Sequence, residues 1–150
     1  MILILVTAFL ILPYAVLILY YRQSWLGIPG YTAPPLSPEN NQPFVSVVIP
    51  ARNEENRIGN CIRSIARQTY PQNRYEIIII NDHSTDHTAD VVHSFGMVNL
   101  RLIDLADFTG DEPLNSYKKK SIETALRSAK GELILTTDAD CLLPEKWVET

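Results

Sequence analysis

Two aspartates separated by one small residue, Asp138 and Asp140, follow the apolar run LILTT, which ends at Thr137. Carboxylates this close repel unless a positive charge lies between them. On an extended backbone, residues i and i+2 face the same side, so the two could share one hard cation. Oxygen-only ligands suit Mg²⁺ or Mn²⁺, and Mg²⁺ usually takes one or two carboxylates and completes its shell with water and substrate phosphate. The implied partner is a diphosphate, whose developing charge the cation would neutralise as a nucleoside diphosphate departs. An isolated Asp-x-Asp triplet is more often a solvated turn; its position at the end of an apolar strand raises its significance.

Two further polar stretches also follow apolar runs: PARNEE (50–55) and NDHSTD (81–86). Asp82 can accept a hydrogen bond from a base N–H or a sugar hydroxyl, with Ser84 and Thr85 as caps for the next helix. The plainer reading is that Asp82 only shapes the turn. YKKK (117–120) is a charge run of the kind that usually forms a solvated face, although a lysine there would suit a diphosphate.

The elements that must position these residues alternate in type. FVSVVIPA (44–51) is rich in β-branched residues and reads as a buried strand stopping at Pro50. Ile58, Cys61, Ile62 and Ile65 give one helical stripe, with Asn53 as its N-cap before Glu54 and Glu55. YEIIII (75–80) is apolar on both faces, as a strand covered on both sides should be. Thr88, Val91, Val92 and Phe95 predict a second helix and NLRLIDL (99–105) a third strand. Ile122, Ala125, Leu126 and Ala129 predict a third helix that Gly131 stops, and ELILTT (132–137) a fourth strand. The order β-α-β-α-β-α-β predicts an α/β fold with a mainly parallel, doubly wound sheet. Such sheets bind ligands at the carboxyl ends of their strands, here just after residues 50, 81 and 137.

No charged residue occurs from Ile2 to Tyr21. As a helix this stretch spans about 30 Å, the thickness of a bilayer's hydrocarbon core, and predicts a transmembrane segment over 1–21 rather than a cleaved signal peptide. Arg22 directly after it favours a cytoplasmic location for the remainder of the chain. Residues 22–43 hold five of the ten prolines and read as a tether to a soluble domain over 44–150. The net charge of −4 argues against a nucleic-acid platform. Cys61 and Cys141 are too few for a disulfide framework and read as packing residues.

VSVVIPARNEE, IIIINDHSTD, KKKSIETALRSAKGE and LILTTDADC, in that order over 44–148, resemble the family 2 glycosyltransferases, inverting enzymes with a Rossmann-like GT-A fold that use nucleotide-diphosphate sugars. Within them the chain looks most like the membrane-anchored, cellulose-synthase-like branch. The resemblance implies that Pro50, Ala51 and Glu54 line the nucleotide pocket and that Asp82 binds the base. It implies that Asp138 meets the ribose or the metal-linked diphosphate, that Asp140 with Asp138 holds Mg²⁺ or Mn²⁺, and that Lys118 matches the lysine of a glycine-lysine pair. Tyr117 and His83 stand where the family often has glycine. The implied donor is a nucleotide-diphosphate sugar, with uridine the suggested base, and the acceptor a saccharide or a lipid-linked one. The catalytic base is expected beyond Thr150. Two alternatives are a nucleotidyltransferase, which commonly has a glycine-rich phosphate loop that PARNEENRIGN lacks, and a non-catalytic membrane-anchored nucleotide-binding module.

Overall fold

The computed structural model describes residues 2–30, 42–109 and 117–150, and the chain divides into two units, Met1–Ala33 and Pro34–Thr150. In the first unit, α1 (Ile2–Leu26) contains Pro13. Its segment Phe9–Leu26 is long and apolar enough to cross a membrane by length and composition. The helix continues through Arg22, so residues 22–26 of the expected tether are helical; 31–41, the body of that tether, lie outside the described residues.

The second unit runs β1 (Val45–Ala51), α2 (Ile58–Ala66), β2 (Tyr75–Asn81), α3 (Thr88–His93), β3 (Leu100–Asp104), a short α4 (Ala106–Thr109), α5 (Tyr117–Ser128) and β4 (Leu133–Thr136). All strand pairs are parallel, in the order β3-β2-β1-β4. The four expected strands are present, with ends shifted by no more than one residue; α4 has no counterpart in the expected pattern.

Strand alternation divides the core. Val45, Val47, Ile49, Ile77 and Ile79 pack on one side of the sheet with the α2 stripe of Ile58, Cys61, Ile62 and Ile65. Val48, Ile78 and Ile80 pack on the other with Ala125. Each such aliphatic side chain, removed from water, contributes about 1.5–3 kcal/mol. The α5 face differs from the expectation. Ser121, Thr124 and Ala125 are buried, while Leu126 is 48% exposed. Small side chains let the helix lie close to the sheet, and a search for large apolar residues at helical spacing overlooks such a face.

The chain steps from β1 outward to β2 and β3, then returns through α5 to place β4 on the other side of β1. Winding therefore reverses at β1, and a crevice opens between the carboxyl ends of β1 and β4, where such sheets take ligands. Pro50 opens this fork. Thr137 N–H donates to Val48 O, the last such bond toward β4, whereas Asp82 N–H donates to Ala51 O and keeps β1 joined to β2. Successive residues of a strand direct their backbone groups to opposite neighbours, so Pro50 faces the side of β4 and has no N–H to offer. The strand expected to stop at Pro50 runs on to Ala51, on the β2 side only.

The opposite end of the sheet is held by a buried carboxylate. Glu76 accepts from Ser46 Oγ (2.7 Å), Lys130 N–H (2.7 Å) and Arg101 Nη2 (2.8 Å), while Ser46 Oγ accepts from Gly131 N–H (2.9 Å). Gly131 does not cap α5, which ends at Ser128; a Cβ on it would lie 2.4 Å from Ser46 N and 2.6 Å from Leu133 O. Gly131→Ala is expected to cost about 1–3 kcal/mol, read from the urea midpoint of the full chain, because backbone atoms must move to admit the methyl group.

Burial alone would raise the Glu76 pKa, but the bonds from Ser46, Lys130 and Arg101 hold it below the ordinary 4.5. A lowered folded-state pKa gives stability that is present above 4.5 and lost as pH falls through the folded value. Glu76→Gln is therefore expected to lower the melting temperature at pH 7, and the gap from the unsubstituted chain should close progressively as pH drops below 4.5. A gap that stays constant with pH would refute the carboxylate's role.

Candidate functional site

A cavity of about 290 Å³ lies at the β1/β4 fork, lined by Pro50, Ala51, Arg52, Glu54, Asp82, Asp138, Ala139 and Asp140. Six of the seven residues singled out from the sequence thus meet in one place. The seventh, Lys118, lies in the first turn of α5, and its side chain is outside the described residues. Arg52 and Ala139 were not singled out; the strand-end position of Arg52 was the available signal.

Asp138 and Asp140 sit in a β-turn rather than on extended backbone, closed by Cys141 N–H to Asp138 O (3.2 Å). Ala139 is buried against the core while both aspartates are exposed, so the turn still presents the carboxylates together. The turn rests on α2. Cys61 Sγ donates to Asp138 O (3.7 Å), Ser64 Oγ accepts from Leu143 N–H (3.2 Å), and Gln68 donates to Pro144 O (2.7 Å) and accepts from Val148 N–H (2.9 Å). Cys61 and Ser64 stand one turn apart on α2, and Gln68 lies just past the helix's end, so the turn and the segment after it are held by α2 and the residues that follow it. Burial, with Cys141 and Asp140 nearby, pushes the Cys61 thiol up to about 12, so it stays protonated and able to donate at neutral pH.

The loops after β1 and β2 are laced together reciprocally. Asn53 N–H donates to Ser84 Oγ (3.1 Å) and Asn53 Oδ1 accepts from Thr85 N–H (2.8 Å). Glu55 N–H donates to Asp86 Oδ2 (3.1 Å) and Glu55 Oε2 accepts from His87 N–H (3.0 Å). Between them Glu54 N–H donates to Thr88 Oγ1 (2.8 Å). These bonds correct two expectations. Asn53 is not the N-cap of α2, which begins at Ile58, and Ser84 and Thr85 do not cap α3, whose Thr88 N–H bonds Asp86 instead. Burial would raise the Asp86 pKa, but the Thr88 hydroxyl and the surrounding N–H groups lower it, so the lacing keeps its charge under mild acid.

The cavity is strongly acidic, with four carboxylates against one guanidinium among its lining residues. Arg57 adds charge at the rim, its Nη1 3.9 Å from both Glu54 Oε2 and Asp140 Oδ2. Among the described residues no three His, Cys, Asp or Glu side chains are grouped to hold a metal ion. The donor set nonetheless fits Mg²⁺ or Mn²⁺, which need one or two carboxylates when phosphate oxygens and water supply the other ligands.

The family model Glycosyl transferase family 2 matches residues 46–150. Glycosyltransferase AglE of Haloferax volcanii is 32% identical over 107 residues, covering 71% of this chain and 34% of the relative. Mannosyltransferase PcManGT of Pyrobaculum calidifontis, solved in complex with GDP-Man and Mn²⁺, superposes with a TM-score of 0.64 at 31% identity, over 85% of this chain and 36% of its own. Staphylococcus aureus TarS 1–349 in complex with UDP gives a TM-score of 0.58 at 27% identity, over 70% and 30%. The chain spans about a third of the length of each.

Gln68→Leu removes the side-chain groups bonded to Pro144 O and Val148 N–H and leaves those backbone groups without them. A loss of about 1–3 kcal/mol is expected in denaturant unfolding, with the 142–148 segment first to lose amide-exchange protection. Unchanged protection there would show that Gln68 does not hold this segment.

Proposed function

The chain belongs to glycosyl transferase family 2, and from that premise we propose that it provides the donor side of a metal-dependent, inverting glycosyltransferase acting on a nucleotide-diphosphate sugar. The observation that carries the reading is the acidic cavity at the fork. A diphosphate would be repelled by its four carboxylates, so a cation must accompany it. The GDP-Man and Mn²⁺ of PcManGT support the pairing of nucleotide sugar and divalent ion, and the UDP of TarS supports the nucleotide.

In this reading Pro50 and Ala51 form the wall against which the nucleotide lies, and Asp82 accepts from the base. Glu54 lines the nucleotide pocket with Pro50 and Ala51, Asp138 meets the ribose or the metal-linked diphosphate, and Lys118 is assigned to the donor by its match to the family's lysine. Mg²⁺ or Mn²⁺ bound by Asp138 and Asp140 would supply positive charge to the leaving diphosphate. Transfer breaks the bond from the anomeric carbon to the diphosphate oxygen, which keeps the electron pair. An acceptor hydroxyl forms the new bond from the opposite face, and its proton passes to a general base that we assign to chain beyond Thr150. The acceptor is a saccharide or a lipid-linked one, and uridine is the suggested base.

The finer assignment is to the membrane-anchored, cellulose-synthase-like branch. It is supported by α1, whose exposed apolar length suits a single membrane span, with Arg22 favouring a cytoplasmic catalytic domain.

Calorimetry of the full chain in detergent with UDP and GDP tests the reading. At least one of the two is expected to bind more tightly with Mn²⁺ than without. Asp140→Ala should abolish the Mn²⁺ increment while leaving the weak metal-free binding. An increment that survives the substitution would falsify the assignment of the triplet.

A further inference from the structure

We propose that His83 is a positioning residue for Asp82, fixing which carboxylate oxygen meets the base and thereby selecting bases that carry a ring N–H. The inference rests on the nucleotide-sugar reading above.

His83 Nδ1 lies 2.9 Å from Asp82 Oδ1. A carboxylate only accepts, so Nδ1 carries the hydrogen. Asp82 is 7% exposed at the edge of the cavity, and its backbone is fixed by the bond from its N–H to Ala51 O. What remains variable is the rotation of its side chain, and the imidazole holds it. With Oδ1 engaged by His83, Oδ2 is the oxygen left to accept from a ligand. It suits uracil N3–H or guanine N1–H; the corresponding ring nitrogens of cytosine and adenine are bare acceptors and would face it lone pair to lone pair.

The backbone supports the same conclusion. His83 has φ +53°, in the left-handed region where glycine is unstrained and where Asn, Asp and His are the commoner of the other residues. Glycine would be less strained there, and the bond that the imidazole makes to Asp82 gives the side chain a use that glycine could not supply. Asparagine provides a clean comparison, since it tolerates left-handed backbone and places an N–H₂ near the position of the imidazole Nδ1–H.

The test uses the full chain in detergent with Mn²⁺ and compares UDP with CDP and GDP with ADP by calorimetry, alongside thermal melting. The unsubstituted protein is expected to prefer UDP over CDP, or GDP over ADP. His83→Gly should weaken the preferred nucleotide about tenfold, leave its partner within about twofold, and keep or raise the melting temperature. His83→Asn should restore the preference. The proposal is overturned if His83→Gly leaves the ratio unchanged, if it weakens both nucleotides equally with a fall in melting temperature, or if His83→Asn fails to restore it. Binding of none of the four by the unsubstituted protein would overturn the nucleotide-sugar reading, and this inference with it. A ratio indifferent to Asp82→Asn would remove Asp82 from base recognition, overturning the inference while the metal-site reading stands.

Discussion

Four carboxylates of like charge, Glu54, Asp82, Asp138 and Asp140, share the open end of a parallel sheet, and the rest of the domain has to hold them there. Their mutual repulsion favours separation, and exposed ion pairs such as those of Arg57 offset little of it. The holding is done through backbone groups. Glu54 is tied by its N–H to Thr88, Asp82 by its N–H to Ala51, and Asp138 by its carbonyl to Cys61 and Cys141. Ligand exchange at the carboxylates therefore need not break the bonds that fix where they are. The proposed exchange of a cation and a diphosphate would benefit from that separation of roles.

The two ends of the sheet use acidic residues in opposite ways. Glu76 at the amino end is buried, accepts from three donors on three elements and is matched by Arg101, so its charge is consumed within the protein. At the carboxyl end the negative charge exceeds what the protein itself compensates. The first arrangement fixes the start of β4 against β1 and β2 through Ser46 and Gly131; the second leaves an electrostatic demand that the proposed cation would meet. Pro50 marks the transition, since β1 is paired on both sides up to Val48 and on one side beyond it.

The alternation of strands and helices was legible because each strand is a short β-branched run and α2 places large aliphatics on one stripe. The convergence of Pro50, Ala51, Glu54, Asp82, Asp138 and Asp140 then came from where parallel strands end. Features carried by small or polar residues were not legible. The buried face of α5 is made of Ser121, Thr124 and Ala125, which have no apolar periodicity to detect. Asn53, Ser84 and Thr85 are good capping residues by type, yet they bond across to a loop some thirty positions away in sequence, which no local rule anticipates. Gly131 stands out in the sequence for its conformational freedom, whereas the structure needs its missing side chain.

The same geometry recurs in the two loops, after β1 and β2, that contribute to the cavity. β1 ends at Ala51 and β2 at Asn81; the residue after each, Arg52 and Asp82, lines the cavity, and the residue after that, Asn53 and His83, adopts φ +55° and +53°. A left-handed residue two places past a strand reverses the chain, so the residue before it is left directed into the crevice while the rest of the loop turns away. Glycine would serve this turn at least strain. Asn53 instead uses its side chain to bond the neighbouring loop, and His83 uses its ring to orient the adjacent carboxylate. In both loops the backbone conformation aims one residue at the ligand, and the side chain at the strained position secures something next to it. Asn and His both suit left-handed backbone, and at positions 53 and 83 each adds a side-chain bond that glycine could not make.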